Sequence, residues 1–138
     1  SGALSRATKW LRGGYYVHLE PGNGFLGVGF WNPEPKDLKL IRDDIAHDAT
    51  QLRAIINDPD FKAQWGELRG EQLKTAPKGF DKDHPNVDLL RFKAFTFAKS
   101  FTDEEACSED FIFHVVSSFL SIRPFFNYMS EVLTAHLE

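Results

Sequence analysis

The sequence predicts an α+β fold: a small antiparallel β-sheet built on a β-hairpin, with several helices packed on one face. Three observations carry this. Two β-rich runs, Gly14 to Glu20 and Phe25 to Trp31, flank the turn sequence Pro21-Gly22-Asn23-Gly24. A third run, Phe92 to Phe101, alternates Lys93, Phe95, Phe97, Lys99 and Phe101 with Ala94, Thr96, Ala98 and Ser100. Between and after these runs lie amphipathic segments with cap residues at their starts. At 138 residues and 42% hydrophobic content the chain fits one domain over its whole length.

The hairpin sorts its side chains cleanly. With residues 21–24 as the loop, Glu20 faces Phe25, Leu19 faces Leu26, His18 faces Gly27 and Tyr16 faces Gly29. One face then collects Tyr15, Val17, Leu19, Leu26, Val28 and Phe30, which is the core side. The other holds Tyr16, His18, Glu20, Phe25, Gly27, Gly29 and Trp31. Glycines inside a strand mark a place where another group comes close to the backbone. They leave a trough beside an imidazole and a carboxylate. It reads either as a ligand site using His18 and Glu20 or as a space filled by a helix or an aromatic ring.

Before the hairpin, residues 1–13 read as a polar lead-in or incomplete strand, with a positive patch of Arg6, Lys9 and Arg12. After it, Asn32 reads as an N-cap with Pro33 at the first helical position. Leu38, Ile41 and Ile45 form the buried stripe of that helix, which ends at His47. Asp48 is expected to cap a second helix burying Leu52, Ile55 and Ile56, with Gln51 in the capping-box position. Asp58 caps a third, with Phe61 and Trp65, stopped by Gly66. Residues 68–74 read as extended and 75–88 as an irregular loop. Leu89 to Arg91 is a short helix capped by Asp83 or Asp88. Thr102 to Glu105 is a capping box. Ser108 then caps a helix with Phe111, Ile112, Val115, Val116, Phe119 and Leu120 inward. Pro124 interrupts it, and a last helix buries Phe125, Met129, Val132, Leu133 and Leu137.

Composition narrows the function classes. Net charge is −4 with a pI near 5.7, which speaks against nucleic acid and anionic membranes as partners. No apolar run reaches the ~20 residues of a membrane span, and no signal peptide is recognisable. The single Cys107 excludes an intrachain disulfide and fits a reducing compartment. Its acidic neighbours disfavour the thiolate. A cytoplasmic domain is expected, starting without an initiator Met as a fragment or processed chain would.

A long irregular loop in a small domain is often functional, so the 74–93 region is the second candidate. An anionic small molecule is the expected partner, held between it and the hairpin. Tyr16, Lys74, Lys78, Arg91 and Lys93 are the binding candidates, Arg offering bidentate geometry. His18, Glu20, Asp81 and His84 are the candidates for acid–base chemistry. A metal variant would combine His18 and Glu20 with His84, Asp81 or Asp83, but no HxH, HxxxH or HExxH spacing exists and no metal site is assigned. No P-loop or Gly-x-Ser-x-Gly elbow is present, and no motif names a cofactor or an oligomeric state. The alternative is a non-catalytic interaction domain using exposed Tyr16, Phe25 and Trp31.

A run of ordered motifs adds a resemblance. These are Gly14-Tyr15-Tyr16-Val17-His18-Leu19-Glu20-Pro21, Phe25-Leu26-Gly27-Val28-Gly29, Trp31-Asn32-Pro33-Glu34-Pro35 and Ile41-Arg42. Gly70-Glu71-Gln72-Leu73-Lys74, Pro77-Lys78-Gly79-Phe80-Asp81, Asp83-His84-Pro85 and Asp88-Leu89-Leu90-Arg91-Phe92-Lys93 follow in order. From Gly14 onward the chain resembles the DUF2461 family, bacterial and fungal proteins of unknown function. The resemblance implies no activity. It implies an additional N-terminal Arg- and Asp-rich motif followed by Lys and Tyr, so the chain is similar to the C-terminal two-thirds of such a protein.

Overall fold

The hairpin turn sets the sheet. Pro21 and Gly22 occupy its two central positions, Gly22 has φ +75°, and the Asn23 N–H donates to the Glu20 carbonyl at 2.9 Å. Proline followed by a residue with positive φ is the pattern of a type II turn. In this computed structural model, which describes residues 2–5 and 13–137 with side chains from Gly13 onward, β2 (Gly14–His18) pairs antiparallel with β3 (Gly24–Phe30). The Arg6, Lys9 and Arg12 patch lies outside the described residues.

The loop is longer than the turn sequence alone predicts, so the register shifts by two. His18 stands opposite Phe25, Tyr16 opposite Gly27 and Gly14 opposite Gly29. An even shift leaves every strand residue on its expected face. Its cost falls on Leu19, which leaves the core for the loop and is exposed. The loop is held from outside: the Asp103 carboxylate accepts the Gly22 N–H at 2.9 and 3.2 Å.

The sheet has four strands in the order β1-β2-β3-β4, all neighbours antiparallel, with β1 (Gly2–Ser5) beside β2 and β4 (Phe95–Phe101) beside β3. Leu26, Val28 and Phe30 of β3 share a face with Phe95 and Phe97 of β4, and all five are buried. The helices pack on this face. Phe97 meets Phe61 and Phe125 edge-on at 5.1 Å each, a favoured aromatic geometry. Along the outer edge of β4 the segment near Arg69 and Gln72 forms isolated bridges to Thr96 and Phe92. The extended reading of 68–74 is realised there.

Proline chemistry explains where the first helix begins. α1 runs Pro35–His47, and Glu34 rather than Asn32 is its cap, extended at φ −63°, ψ 153°. A residue before proline is pushed out of the helical region, so Glu34 cannot be helical and α1 starts at Pro35. α2 (Thr50–Ile56) has Ala49 at its cap position. The Asp48 carboxylate still accepts the Thr50 N–H at 2.9 Å; the Thr50 side chain first, and then this backbone bond, hold its pKa below the usual carboxylate range. Of its expected face Leu52 is buried and Ile55 and Ile56 are half-buried. α3 (Pro59–Trp65) is capped by Asp58, which accepts from the Phe61 N–H, and ends at Gly66 with φ +70°. α4 (Val87–Leu90) takes Asn86 at its cap, not Asp83 or Asp88. α5 (Asp103–Ala106) carries the reciprocal Thr102–Glu105 capping box.

The last two helices depart most from expectation. α6 (Phe111–Ser121) begins after Ser108, whose hydroxyl accepts the Asp110 N–H instead. Its inward stripe is narrow: Phe111, Val115 and Phe119 are half-buried and Ser118 is buried. Ile112, Phe113, Val116 and Leu120 are exposed at 71, 69, 51 and 54%. A helix apolar on most sides has no phase readable from its sequence. α7 (Arg123–Thr134) accepts Pro124 in its first turn and buries Phe125, Phe126, Tyr128, Met129 and Leu133, with Val132 half-buried; Leu137 lies beyond it and is exposed. Buried Tyr128 hydrogen-bonds the Asp44 carboxylate of α1; burial first, then that bond, raises the phenol pKa. No described helix is long and apolar enough to cross a membrane.

Candidate functional site

Residues of one parity on β2 and β3 form the hairpin's outer face, turned away from the helical core. Gly27 lies among them, opposite Tyr16 and two residues after Phe25. A Cβ built on Gly27 would meet Trp31 Cζ2 at 3.2 Å, the Tyr16 Cβ at 3.7 Å and Phe25 Cε2 at 3.8 Å. Three aromatic side chains thus converge where the backbone carries only hydrogen. Trp31, half-exposed, folds back over the strand it follows. The expectation that an aromatic ring occupies the glycine gap is met at Gly27 itself.

The trough is larger than one ring. It belongs to a cavity of about 730 Å³, within the range of small-molecule pockets. Glu34 and Asp37 at the start of α1 and Thr96 of β4 join the aromatic trio on its wall. Asp37 is 3% exposed and is engaged within the protein. The Thr96 hydroxyl is committed to the Arg69 carbonyl at 3.2 Å. Gly29 makes the floor possible. Its φ is +131°, and a Cβ there would stand 2.2 Å from the Phe95 carbonyl oxygen of β4.

His18 and Glu20 sit at the turn end of the same face. The His18 ring stacks on Phe25 with centroids 4.8 Å apart, and Phe25 lies 6.0 Å from the Tyr16 ring. His18 Nε2 is 3.6 Å from the Glu20 carboxylate and its Nδ1 is 3.5 Å from the Tyr16 hydroxyl. Both distances are at or beyond the limit of a hydrogen bond. Glu20 is exposed and held below the usual carboxylate range, first by the Asn23 amide at 2.7 Å and then by His18. The structure therefore brings His18, Glu20 and Tyr16 together as expected, joined by Phe25 and Trp31.

The 74–93 residues are not brought to them, for none lies on the cavity wall. Asp81 accepts the Asp83 N–H at 2.8 Å, and His84 Nδ1 accepts the Asn86 N–H at 3.0 Å. Arg91 Nε donates to the Leu73 carbonyl at 2.8 Å, and Lys93 pairs with Glu71 at 3.2 Å. Lys74 and Lys78 are exposed. These side chains build their own loop or face water. Among the described residues no three His, Cys, Asp or Glu side chains converge as a metal set would.

Glu34 and Asp37 are site residues that motif reading passes over as helix-start chemistry. The signal was in the spacing: Asp37, Ile41 and Ile45 recur every fourth residue, so a carboxylate stands on the buried stripe.

The family model described as a conserved hypothetical protein (DUF2461) matches residues 1–128, including the lead-in segment before Gly14. No curated protein and no solved structure matches the chain.

Proposed function

The chain belongs to the DUF2461 family, and we propose that it is a small-molecule-binding domain whose site is the trough over Gly27. The convergence of Trp31, Tyr16 and Phe25 on a residue without a side chain, inside a cavity of ligand size, carries this reading. His18 and Glu20 lie off the cavity wall, at the turn end beside Phe25, where only a ligand that extends beyond the cavity would meet them. A cytoplasmic setting accords with the exposed, unpaired Cys107.

The test is a thermal-shift screen of metabolites against wild type, Gly27→Leu and Trp31→Ala. A ligand at 100 times its dissociation constant adds about 2.7 kcal/mol of apparent stability. Gly27→Leu fills the trough and is expected to abolish that gain while the domain stays folded. Hits that survive both substitutions unchanged would move the site elsewhere.

A second reading, a non-catalytic interaction domain, is favoured by the exposed stripe Ile112, Phe113, Val116 and Leu120 on α6. It predicts that Val116→Lys changes the sedimentation behaviour of the protein and leaves every ligand response intact.

A further inference from the structure

We infer that the chain has a second binding site, for a small monocarboxylate with an apolar tail, in the cleft between α3, α6 and the far end of β4. The cleft holds about 260 Å³ and, among the described residues, shares no wall residue with the trough. It stands whether or not the trough binds anything. Its volume lies just below the range of drug-sized pockets, which suits a molecule the size of benzoate.

The observation is a cation on the core face with only neutral partners. Lys99 stands opposite Leu26 and two residues after Phe97, so its half-buried side chain leaves the sheet on the face that buries Phe95 and Phe97. A charge held away from water is ordinarily paired with its opposite. Among the described residues the Lys99 ammonium instead donates to two uncharged oxygens, Gln64 Oε1 and, at 3.0 Å, Ser118 Oγ. An ammonium has three N–H donors, so one is left for a ligand.

The helix side of the cleft adds further donors. Ser118 is 6% exposed, and its hydroxyl, accepting from Lys99, keeps its own proton to give. His114 and Ser117 share its helical face and line the cleft. Ser121 is spent elsewhere, accepting from Trp65 Nε1 at 2.8 Å and donating to the Ser118 carbonyl at 2.6 Å. Leu26, Phe101, Phe111 and Val115 supply the apolar part of the wall.

This set selects one negative charge. A carboxylate gains charge-assisted bonds from the ammonium and the hydroxyls, whereas an organic cation is repelled by Lys99 and a neutral body gains only the apolar contact. Glu105 is the carboxylate on the wall, exposed and engaged by the Thr102 N–H at 2.8 Å in the capping box. It opposes any anion and a dianion more strongly, so the Lys99 end is where a single carboxylate sits.

The test is NMR titration of the whole chain with benzoate, its neutral counterpart benzamide, and phenyl phosphate as the dianion. Benzoate is expected to shift the amides around Lys99 and Ser118 and to bind about tenfold more tightly than benzamide, the preference shrinking in salt. Lys99→Met keeps the apolar stem and should remove the preference. Glu105→Gln retains the capping box, which Gln also completes, and should tighten benzoate about twofold. It decides the charge argument even where Lys99→Met unfolds the chain.

Benzamide or phenyl phosphate binding wild type as tightly as benzoate overturns the monocarboxylate class. Benzoate affinity that is unchanged or weaker in Glu105→Gln overturns the charge argument. Shifts centred on Gly27 and Trp31 overturn this site and leave the trough reading standing. Absence of binding at millimolar concentration overturns the site and makes the Lys99–Ser118 bond a purely structural tie.

Discussion

The outer face of the hairpin and the 74–93 loop carry the same kinds of side chain and use them in opposite directions. In the loop His84, Asp81 and Arg91 turn back to bond the loop's own backbone. An irregular segment has no ladder to satisfy its N–H and C=O groups, so its polar side chains serve as substitutes. On the hairpin the ladder does that work, and Tyr16, Phe25 and Trp31 are free to converge on Gly27. A polar cluster in a loop is thus weaker evidence of a site than the same cluster on a strand.

The largest effect that sharpens this contrast is within the trough itself. Gly29→Ala drives a Cβ into the β4 backbone at a positive φ and should cost roughly 3 kcal/mol or more in urea unfolding. Gly27→Ala needs only a few tenths of an ångström from the Trp31 ring and should cost about 1 kcal/mol or less. Equal costs at the two positions would mean that the trough is as tightly built as the sheet beneath it.

Next in size is Arg91→Ala, which strands the Leu73 carbonyl and should cost about 1–3 kcal/mol. It should leave any ligand response of the trough unchanged. A lost response with unchanged stability would put Arg91 in the site and break the contrast.

The two histidines follow. His84→Ala removes the acceptor of the Asn86 N–H and should cost about 1 kcal/mol. His18→Ala, with no well-formed bond to lose, should stay within about 0.5 kcal/mol of wild type. Thermal melts of the two variants side by side check this.

The smallest effect is in pH. Arg53, bonded to Asp88 at 2.8 and 3.1 Å, ties the loop to α2 and holds the Asp88 carboxyl below the usual carboxylate range. Because the folded pKa is the lower one, the stabilisation is full above the unfolded value, about 3.9, and fades as pH falls through the folded value. The pair is largely exposed, so about 0.5 kcal/mol is at stake. The melting difference between wild type and Asp88→Asn should be present at pH 7 and vanish in strong acid. A difference that persists there would show that charge plays no part in the tie.

Much of the fold was legible where the signal is local. Asp58-Pro59 with Gly66, and Thr102 with Glu105, encode their caps within a few residues, and the structure has them. The hairpin faces were legible through period two. Its register was not, because two registers an even step apart sort the faces identically; the observed one goes with the turn at Pro21-Gly22 and with the Asp103 contact, 81 residues away. The site was half legible for the same reason. The glycine floor beside Tyr16 and His18 can be read from strand parity. The return of Trp31 over Gly27 and the arrival of Asp37 depend on how α1 meets the sheet. The 74–93 residues do not reach the cavity: Arg91 and Lys93 are engaged at short range, and Lys74 and Lys78 face water.

The pairing of β3 with β4 has a kinetic consequence. Gly24 meets Phe101 and Phe30 meets Phe95, so central strand β3 and edge strand β4 are joined across more than sixty residues that include four helices. The hairpin can close within microseconds on local contacts, whereas the β3–β4 ladder must wait for the intervening chain to compact. Half of the trough's neighbourhood, from Gly29 to Thr96, therefore does not exist until the whole fold does. A compound that binds there will recognise the finished molecule and none of its precursors, and the time it takes a denatured sample to regain binding will be the time of the global transition.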